Sequence, residues 1–412
     1  MKKFIAQVVL SLSLLVAYTA QAQQFQVLHY FTGGQDGGRP IGALAIDRPG
    51  NLYGTAQIGG IMPEGCGTGC GTAFEMTHKN SHYIFNVIHQ FGEGNDGVAP
   101  NAGVVIGASG FLYGTTVNGG LGIGTVYALQ LPATPCKSIL CFWPETVLHA
   151  FQGSPNDGFN PLSTPTLDRS GNLYGTTLYG GVDNEGGTAY ELVRSGNEWS
   201  ETLLHSFTGG NDGDLPVGGL IFDMAGNLYG TTAGGGDGAG GTVFELTPSN
   251  GDWSESILYN FNSNNGYGTQ PECTLVMDQA GNLYGTTSGG GANGTIFELT
   301  PSNGGGSISL LYGAPNFSAQ AGLTMDAAGN FYGVSANGSA GGNAGGNGFV
   351  FKLTSSHGVW TLTDLHDFSG SDGANPLGAV VLDTNGNLYG TTSGGGQGSC
   401  VGGCGVVWEI TP

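Results

Sequence analysis

Short apolar runs alternate with glycine-rich turns along the whole chain. After residue 22 no stretch keeps a sustained 3.6-residue period, which predicts strands and few helices. The unit is clearest between residues 217 and 261. Residues 217–223 are an apolar run ending in Asp223, residues 224–227 are turn chemistry, and 228–232 are a second strand. A glycine-rich loop over 233–240 leads to a third strand at 241–247. A turn at 248–251 leads to a fourth at 253–261. Four short strands joined by Gly, Asn, Asp and Pro turns make an antiparallel meander.

This unit recurs. Gly-Asn-Leu-Tyr-Gly-Thr-Thr stands in full at 171–177, 226–232, 281–287 and 386–392, with looser copies at 50–55, 110–116 and 329–335. The seven tyrosines are Tyr53, Tyr113, Tyr174, Tyr229, Tyr284, Tyr332 and Tyr389. Four-stranded units at such a period are propeller blades, whose sheets are buried on both faces. That explains why the strands do not alternate cleanly between apolar and polar. The copies are uneven: the second has Gly107 where most units place Asp, and the sixth has Lys352 where others have Glu.

The two ends complement each other. Residues 25–31 resemble the fourth strand at 203–207, whereas residues 406–410, at the end of the last unit, resemble a third strand. Pairing them completes the last sheet and removes two exposed edges. The predicted fold is therefore all-β: a seven-bladed β-propeller of four-stranded antiparallel blades over residues 23–412, closed by the N-terminal strand.

Residues 1–22 read as a secretory signal: Lys2 and Lys3, an apolar run from Phe4 to Tyr18, and an Ala20-Gln21-Ala22 cleavage site. No second apolar run long enough to span a membrane follows. The expected location is outside the cytoplasm: extracellular, periplasmic or at the cell surface. The net charge of -21, with 9% charged residues, repels phosphate backbones and argues against nucleic acid as a partner.

Three residue series carry candidate chemistry. Asp36, Asp96, Asp157, Asp212 and Asp372 recur in the loop from a fourth strand to the next unit, with Asn265 replacing Asp once. Five carboxylates on one face are a candidate ligand-binding rim. The alternative is that Asp-Gly makes a tight turn, its carboxylate bonding nearby backbone N–H groups. Calcium is possible there but no calcium-loop motif supports it, and no cofactor is expected. His29, His89, His149, His205 and His366 recur in the fourth strand, with Tyr259 and Tyr312 in the other two units. Glu75, Glu191, Glu245, Glu298 and Glu409 recur in the third, so that His or Tyr is expected to meet Glu across neighbouring strands. His78 and His82 are a weak metal pair, in a turn rather than on a helix.

Export favours disulfides among the seven cysteines. Cys136–Cys141 is expected to close the enlarged turn at 135–142, and Cys66/Cys70 and Cys400/Cys404 occupy equivalent loops of the first and last units. Local bridges, cross-bridges that staple the ring, and a four-thiolate metal site all remain open. Cys273 is left over as a buried thiol.

The pairing of Gly-Asn-Leu-Tyr-Gly-Thr-Thr with Gly-Thr-Val-Phe-Glu-Leu-Thr-Pro resembles the choice-of-anchor tandem-repeat GloVer proteins, a group of secreted bacterial proteins. The resemblance covers essentially all residues after the signal. It implies an exported repeat protein without an assigned activity, and more distantly it is similar to NHL-type and streptogramin-lyase-type propellers. No nucleophile elbow, His-Glu-x-x-His motif or phosphate loop is present, so catalytic residues are expected to be none. The expected function is a monomeric binding or surface-interaction module for a glycan or a surface protein. The alternative is a propeller enzyme, such as a polysaccharide or cyclic-ester lyase, with its site in the central channel.

Overall fold

The computed structural model describes residues 23–412 apart from 64, 81, 93, 133–141, 183–185, 197, 265, 290–293, 303 and 340–345. The expected signal segment, Asn265, Cys136 and Cys141 lie outside the described residues. Seven four-stranded antiparallel sheets form a ring, and among the described residues the only helical piece is one 3-10 turn at Ala108–Gly110. We number the blades 1 to 7 by their tyrosines, Tyr53 to Tyr389.

Blade 4 shows the plan. Ile221–Phe222, Leu228–Thr232, Thr242–Ser249 and Asp252–Asn260 pair in chain order, innermost to outermost. The first strand is shorter than residues 217–223 suggested. Gly218 and Gly219 instead run along the central channel against the next blade, where a Cβ on Gly218 would stand 2.2 Å from the Cys273 carbonyl oxygen. Such close backbone approach leaves no room for a sheet neighbour on that side.

Each residue of the repeated motif has a mechanical task. Asp223 Oδ1 accepts the Asn227 N–H at 2.9 Å, and its Oδ2 accepts the Asn227 side-chain amide at 2.9 Å. Gly226, at φ 95°, supplies the left-handed step that folds the turn back. Gly230 faces Phe244 across the strand pair, and a Cβ there would lie 2.5 Å from the Phe244 ring. The glycine is a hollow that receives an aromatic ring, and blade 7 fills the same hollow with Trp408. The two threonines that follow are buried. The first donates across the seam to the next blade's channel wall: Thr231 Oγ1 to the Cys273 carbonyl at 3.0 Å.

The ring closes as the chain ends implied. Gln24–Tyr30 pairs antiparallel with Val406–Thr411, Val27 opposite Trp408, as the outermost strand of blade 7. Thr391 Oγ1 then donates to the Gly42 carbonyl of blade 1 at 3.2 Å, so the closing seam carries the same stitch as five of the other six. The core lies between blades rather than within one. Ala189, Leu204 and Phe207 of blade 3, for example, pack on Leu220, Leu228, Phe244 and Leu246 of blade 4.

The loops between second and third strands share a face with the loops that enter the next blade. Gly97–Val98 pairs with Asn118–Gly119, Gly158–Phe159 pairs with Tyr179–Gly180, and Asp214 bridges Gly234. We call this the loop face.

Two outcomes follow. Deleting residues 23–31 removes the closing strand and the fully buried Phe31, a loss of about 3–5 kcal/mol for the ring alone. Calorimetry should show a sharply lower melting temperature, and Trp408 fluorescence should shift to the red; an unchanged melt would mean that blade 7 does not need the strand. Gly230→Ala should cost roughly 1–3 kcal/mol, because the new methyl group overlaps the Phe244 ring.

Candidate functional site

The third-strand glutamates do not meet the fourth-strand histidines, contrary to expectation. They meet the second-strand tyrosines. Tyr229 Oη lies 2.9 Å from Glu245 Oε1 and 3.3 Å from Asp223 Oδ2, and Tyr284 and Tyr389 sit in the same way between two carboxylates. Burial, then the Glu245 hydrogen bond, holds the Tyr229 hydroxyl well above its usual range. Blade 2 lacks both acids, with Gly107 and Ala128 in their places, and the Tyr113 ring leans over the space beside Gly107. In blade 6 Lys352 Nζ sits 5.2 Å from the centre of the Tyr332 ring. Where its acids are present, this network secures the first turn of the blade, on the side away from the loop face.

The histidines turn the other way because of a β-bulge. In each described fourth strand the register with the third strand slips by one residue, between Ala189 and Tyr190 in blade 3 and between Val243 and Phe244 in blade 4. Residues four apart on a regular strand share a face. The extra residue, Leu204 in blade 3 and Leu258 in blade 4, reverses that, so Glu201 faces the blade before and His205 the blade after.

The result is three equivalent clusters. At the seam of blades 1 and 2, His89 Nε2 lies 3.6 Å from Asp96 and 3.8 Å from Glu145. Between blades 2 and 3, His149 Nε2 lies 3.1 Å from Asp157 and 3.5 Å from Glu201. Between blades 3 and 4, His205 Nε2 lies 3.5 Å from Asp212 and 3.6 Å from Glu255. The glutamates were not anticipated. Their signal, a Glu four residues before the fourth-strand His or Tyr in three consecutive units, is weaker than the third-strand series. Burial first, then Asp96, raises the Glu145 carboxyl far above the usual carboxylate range. Glu201 is raised in the same way by burial and Asp157, and Glu255 is pushed up to about 8 by burial and the Asp212 charge. Burial lowers His205, with Asp212 opposing.

The remaining seams lack this glutamate. His29 stacks on Phe85 and His366 on Phe25, with ring centres 3.7 and 3.6 Å apart. Tyr259 packs in the same cluster as Ile308, and Tyr312 in the same cluster as Leu362.

The five loop aspartates therefore stand on the loop face, each beside a histidine of an outermost strand. They also secure their own turns. Asp36 accepts the Thr32 N–H at 3.0 Å, Asp157 the Gln152 N–H at 2.7 Å, Asp212 the Thr208 N–H at 2.9 Å and Asp372 the Ser369 N–H at 2.8 Å. Asp96 accepts from Gly92 and Gly97, both at 2.8 Å.

The channel is the second concave site. It encloses about 250 Å³ and takes three lining residues from every blade, most of them glycine, alanine or small hydroxylic residues. Among the described residues Glu272 is the one charged side chain in that lining, raised by burial, and Asn101 and Gln320 are the amides. From its mouth a groove of about 720 Å³ crosses the loops of blades 3 to 5, past Leu162, Val217, Gln270 and Tyr179. Tyr179 is 36% exposed, with its ring centre 5.3 Å from that of Phe159.

Cys66–Cys70 and Cys400–Cys404 are local disulfides, with Cα atoms 5.2 and 5.0 Å apart, which removes cross-bridging and a four-thiolate site at those loops. Cys273 is a buried thiol that accepts the Thr286 N–H at 3.1 Å and lies 3.4 Å from the Thr286 carbonyl oxygen.

The seam glutamates carry a pH consequence. Because their folded carboxyls titrate above the unfolded value, the fold holds more protons than the unfolded chain between about pH 4.5 and 8. Stability is then greatest at the acid end of that window and falls as pH rises through it. Glu145→Gln, Glu201→Gln and Glu255→Gln together should flatten the decline in melting temperature from pH 5 to pH 8, measured in buffer containing EDTA. A slope that the three substitutions leave unchanged would refute the assignment.

Three solved structures resemble this one at low identity. A protein of Thermus thermophilus assigned as an oxidoreductase of the glucose dehydrogenase kind is 15% identical, with 94% of this chain and 100% of that one covered and a TM-score of 0.41. A protein of Bacteroides uniformis assigned as a 6-phosphogluconolactonase is 13% identical over 79% and 84%, with a TM-score of 0.49. A gluconolactonase of Xanthomonas campestris is 11% identical over 94% and 89%, with a TM-score of 0.45. No curated protein sequence matches the chain. Residues 142–339 match the family model of the Gloeobacter/Verrucomicrobia repeat, and the four-stranded blade they span recurs in all seven sheets of the ring.

Proposed function

We propose that this protein is an exported binding module that takes a glycan on its loop face, at the channel mouth and in the groove leading from it. The observation that carries the reading is the make-up of that surface. Hydroxyls and amides from several blades surround one carboxyl, Glu272, beside an exposed tyrosine. Sugars are bound by such sets: an aromatic face against C–H groups, and neutral donors and acceptors around the ring hydroxyls. The loop aspartates Asp36, Asp96, Asp157, Asp212 and Asp372 serve this face by fixing its loops. Export is supported by the two local disulfides, and no helix among the described residues is long and apolar enough to cross a membrane.

The enzymatic alternative rests on Glu272 as a buried acid in the channel. General acid–base chemistry ordinarily needs a partner group within hydrogen-bond reach of the reacting atoms, and among the described residues no second charged side chain lines the channel with Glu272.

A glycan array probed with the purified protein, with and without calcium, tests the reading. Binding is expected in at least one condition, weakened at least tenfold by Tyr179→Ala and by Glu272→Gln. No binding in either condition would sink the glycan reading in favour of a protein ligand. Turnover of a lactone or polysaccharide that Glu272→Gln abolishes would establish the enzyme instead.

A further inference from the structure

The three seam clusters lie outside the channel and groove, and of their residues the proposed binding role uses only the aspartates, as loop anchors. Each gathers one imidazole nitrogen and two carboxylates whose ligating atoms all lie within 4.8 Å of one another. The His–carboxylate distances run from 3.1 to 3.8 Å. That matches the ligand–ligand edge of a tetrahedral first-row metal centre, about 3.3 Å for metal–ligand bonds near 2.0 Å. From this geometry we propose that the seams of blades 1/2, 2/3 and 3/4 are three equivalent sites for a divalent transition-metal ion, each held by His, Asp and Glu: His89, Asp96 and Glu145; His149, Asp157 and Glu201; His205, Asp212 and Glu255.

A second observation points to a missing ligand. Glu145 Oε1, Glu201 Oε1 and Glu255 Oε1, with His89 Nε2 and His205 Nε2, are sealed from solvent and have no hydrogen-bond partner. The glutamate side chains are only 11, 12 and 12% exposed. Buried polar atoms are almost always satisfied, and leaving several unpaired at one place is costly. A cation bound by the cluster would satisfy the His89 and His205 nitrogens, which face Oε2 of the same glutamates whose Oε1 is unpaired.

The surroundings are those of a built site. Backbone N–H groups orient the aspartates: Gly97 on Asp96 at 2.8 Å, Gly158 on Asp157 at 2.6 Å and Thr208 on Asp212 at 2.9 Å. Hydrogen bonds of this kind fix first-shell ligands around metals. The set also selects. Three donors including an imidazole suit Zn²⁺ or Mn²⁺, whereas calcium takes six to eight oxygens. The ring contains its own controls: at the seams where His29 and His366 stand, a phenylalanine stacks where the glutamate would be, which leaves only His and Asp.

Isothermal titration of the chelator-treated protein with ZnCl₂ tests the proposal. Three ions are expected per chain. Glu145→Gln, Glu201→Gln and Glu255→Gln should each remove one, the triple variant should lose all three, and His366→Gln should lose none. The glutamines keep the side-chain shape, and circular dichroism verifies folding. Should the triple variant fail to fold, the single variants decide. In parallel, zinc should raise the melting temperature of the wild type and leave the folded triple variant unmoved. Fewer than three ions on the wild type, or a count that the glutamine substitutions do not lower, overturns the proposal.

Discussion

In six of the seven blades one threonine hydroxyl ties the blade to its neighbour. Thr55, Thr115, Thr176, Thr231, Thr286 and Thr391 each donate across a seam to a carbonyl of the next blade's channel wall, at 2.6 to 3.2 Å. Those carbonyls belong to backbone that runs beside the channel without a sheet partner of its own. Buried and unpaired, each would cost as much as a lost hydrogen bond. The stitch satisfies the carbonyl and holds adjacent blades in close contact beside the channel. Blade 6, with Val334 in place of the threonine, is the exception, and its seam relies on packing around Val334 and Val350.

The glycine before that threonine makes the stitch reachable. An aromatic ring from the third strand occupies the volume where its side chain would be, from Phe74 in blade 1 to Trp408 in blade 7. The second strand can then lie flat against the third while its neighbouring threonine turns toward the next blade. Sheet, core and ring closure thus depend on three adjacent residues, Tyr-Gly-Thr, each with a different partner.

Much of this was legible in the sequence because it repeats. The strand count, the ring and its closure by residues 25–31 follow from seven copies of one motif and from two ends that match adjacent strands. The glycines and the Asp-to-Asn turns could be read as turn chemistry for the same reason. The partner of each recurring polar residue could not. Strand order puts His205 and Glu191 on neighbouring strands, but the bulge at Leu204 and the seam between blades decide the real partners, Asp212 and Glu255. A one-residue slip leaves no mark in composition or spacing. The glutamates at 145, 201 and 255 went unread because they occur in three units of seven, and their partners come from the preceding blade.

That partial occurrence is itself informative about what the clusters are for. Burying ionisable groups is costly, and replacing such a set with well-packed apolar residues is often neutral or stabilising. The ring makes that replacement itself: Phe85 stacks on His29, Phe25 stacks on His366, and Ile308 shares a cluster with Tyr259. Seven similar seams close with three different fillings, so the architecture requires none of them in particular. A purely structural account would favour the apolar filling at every seam. Three consecutive seams instead keep an imidazole and two carboxylates with several atoms unsatisfied, an arrangement that packing alone does not call for.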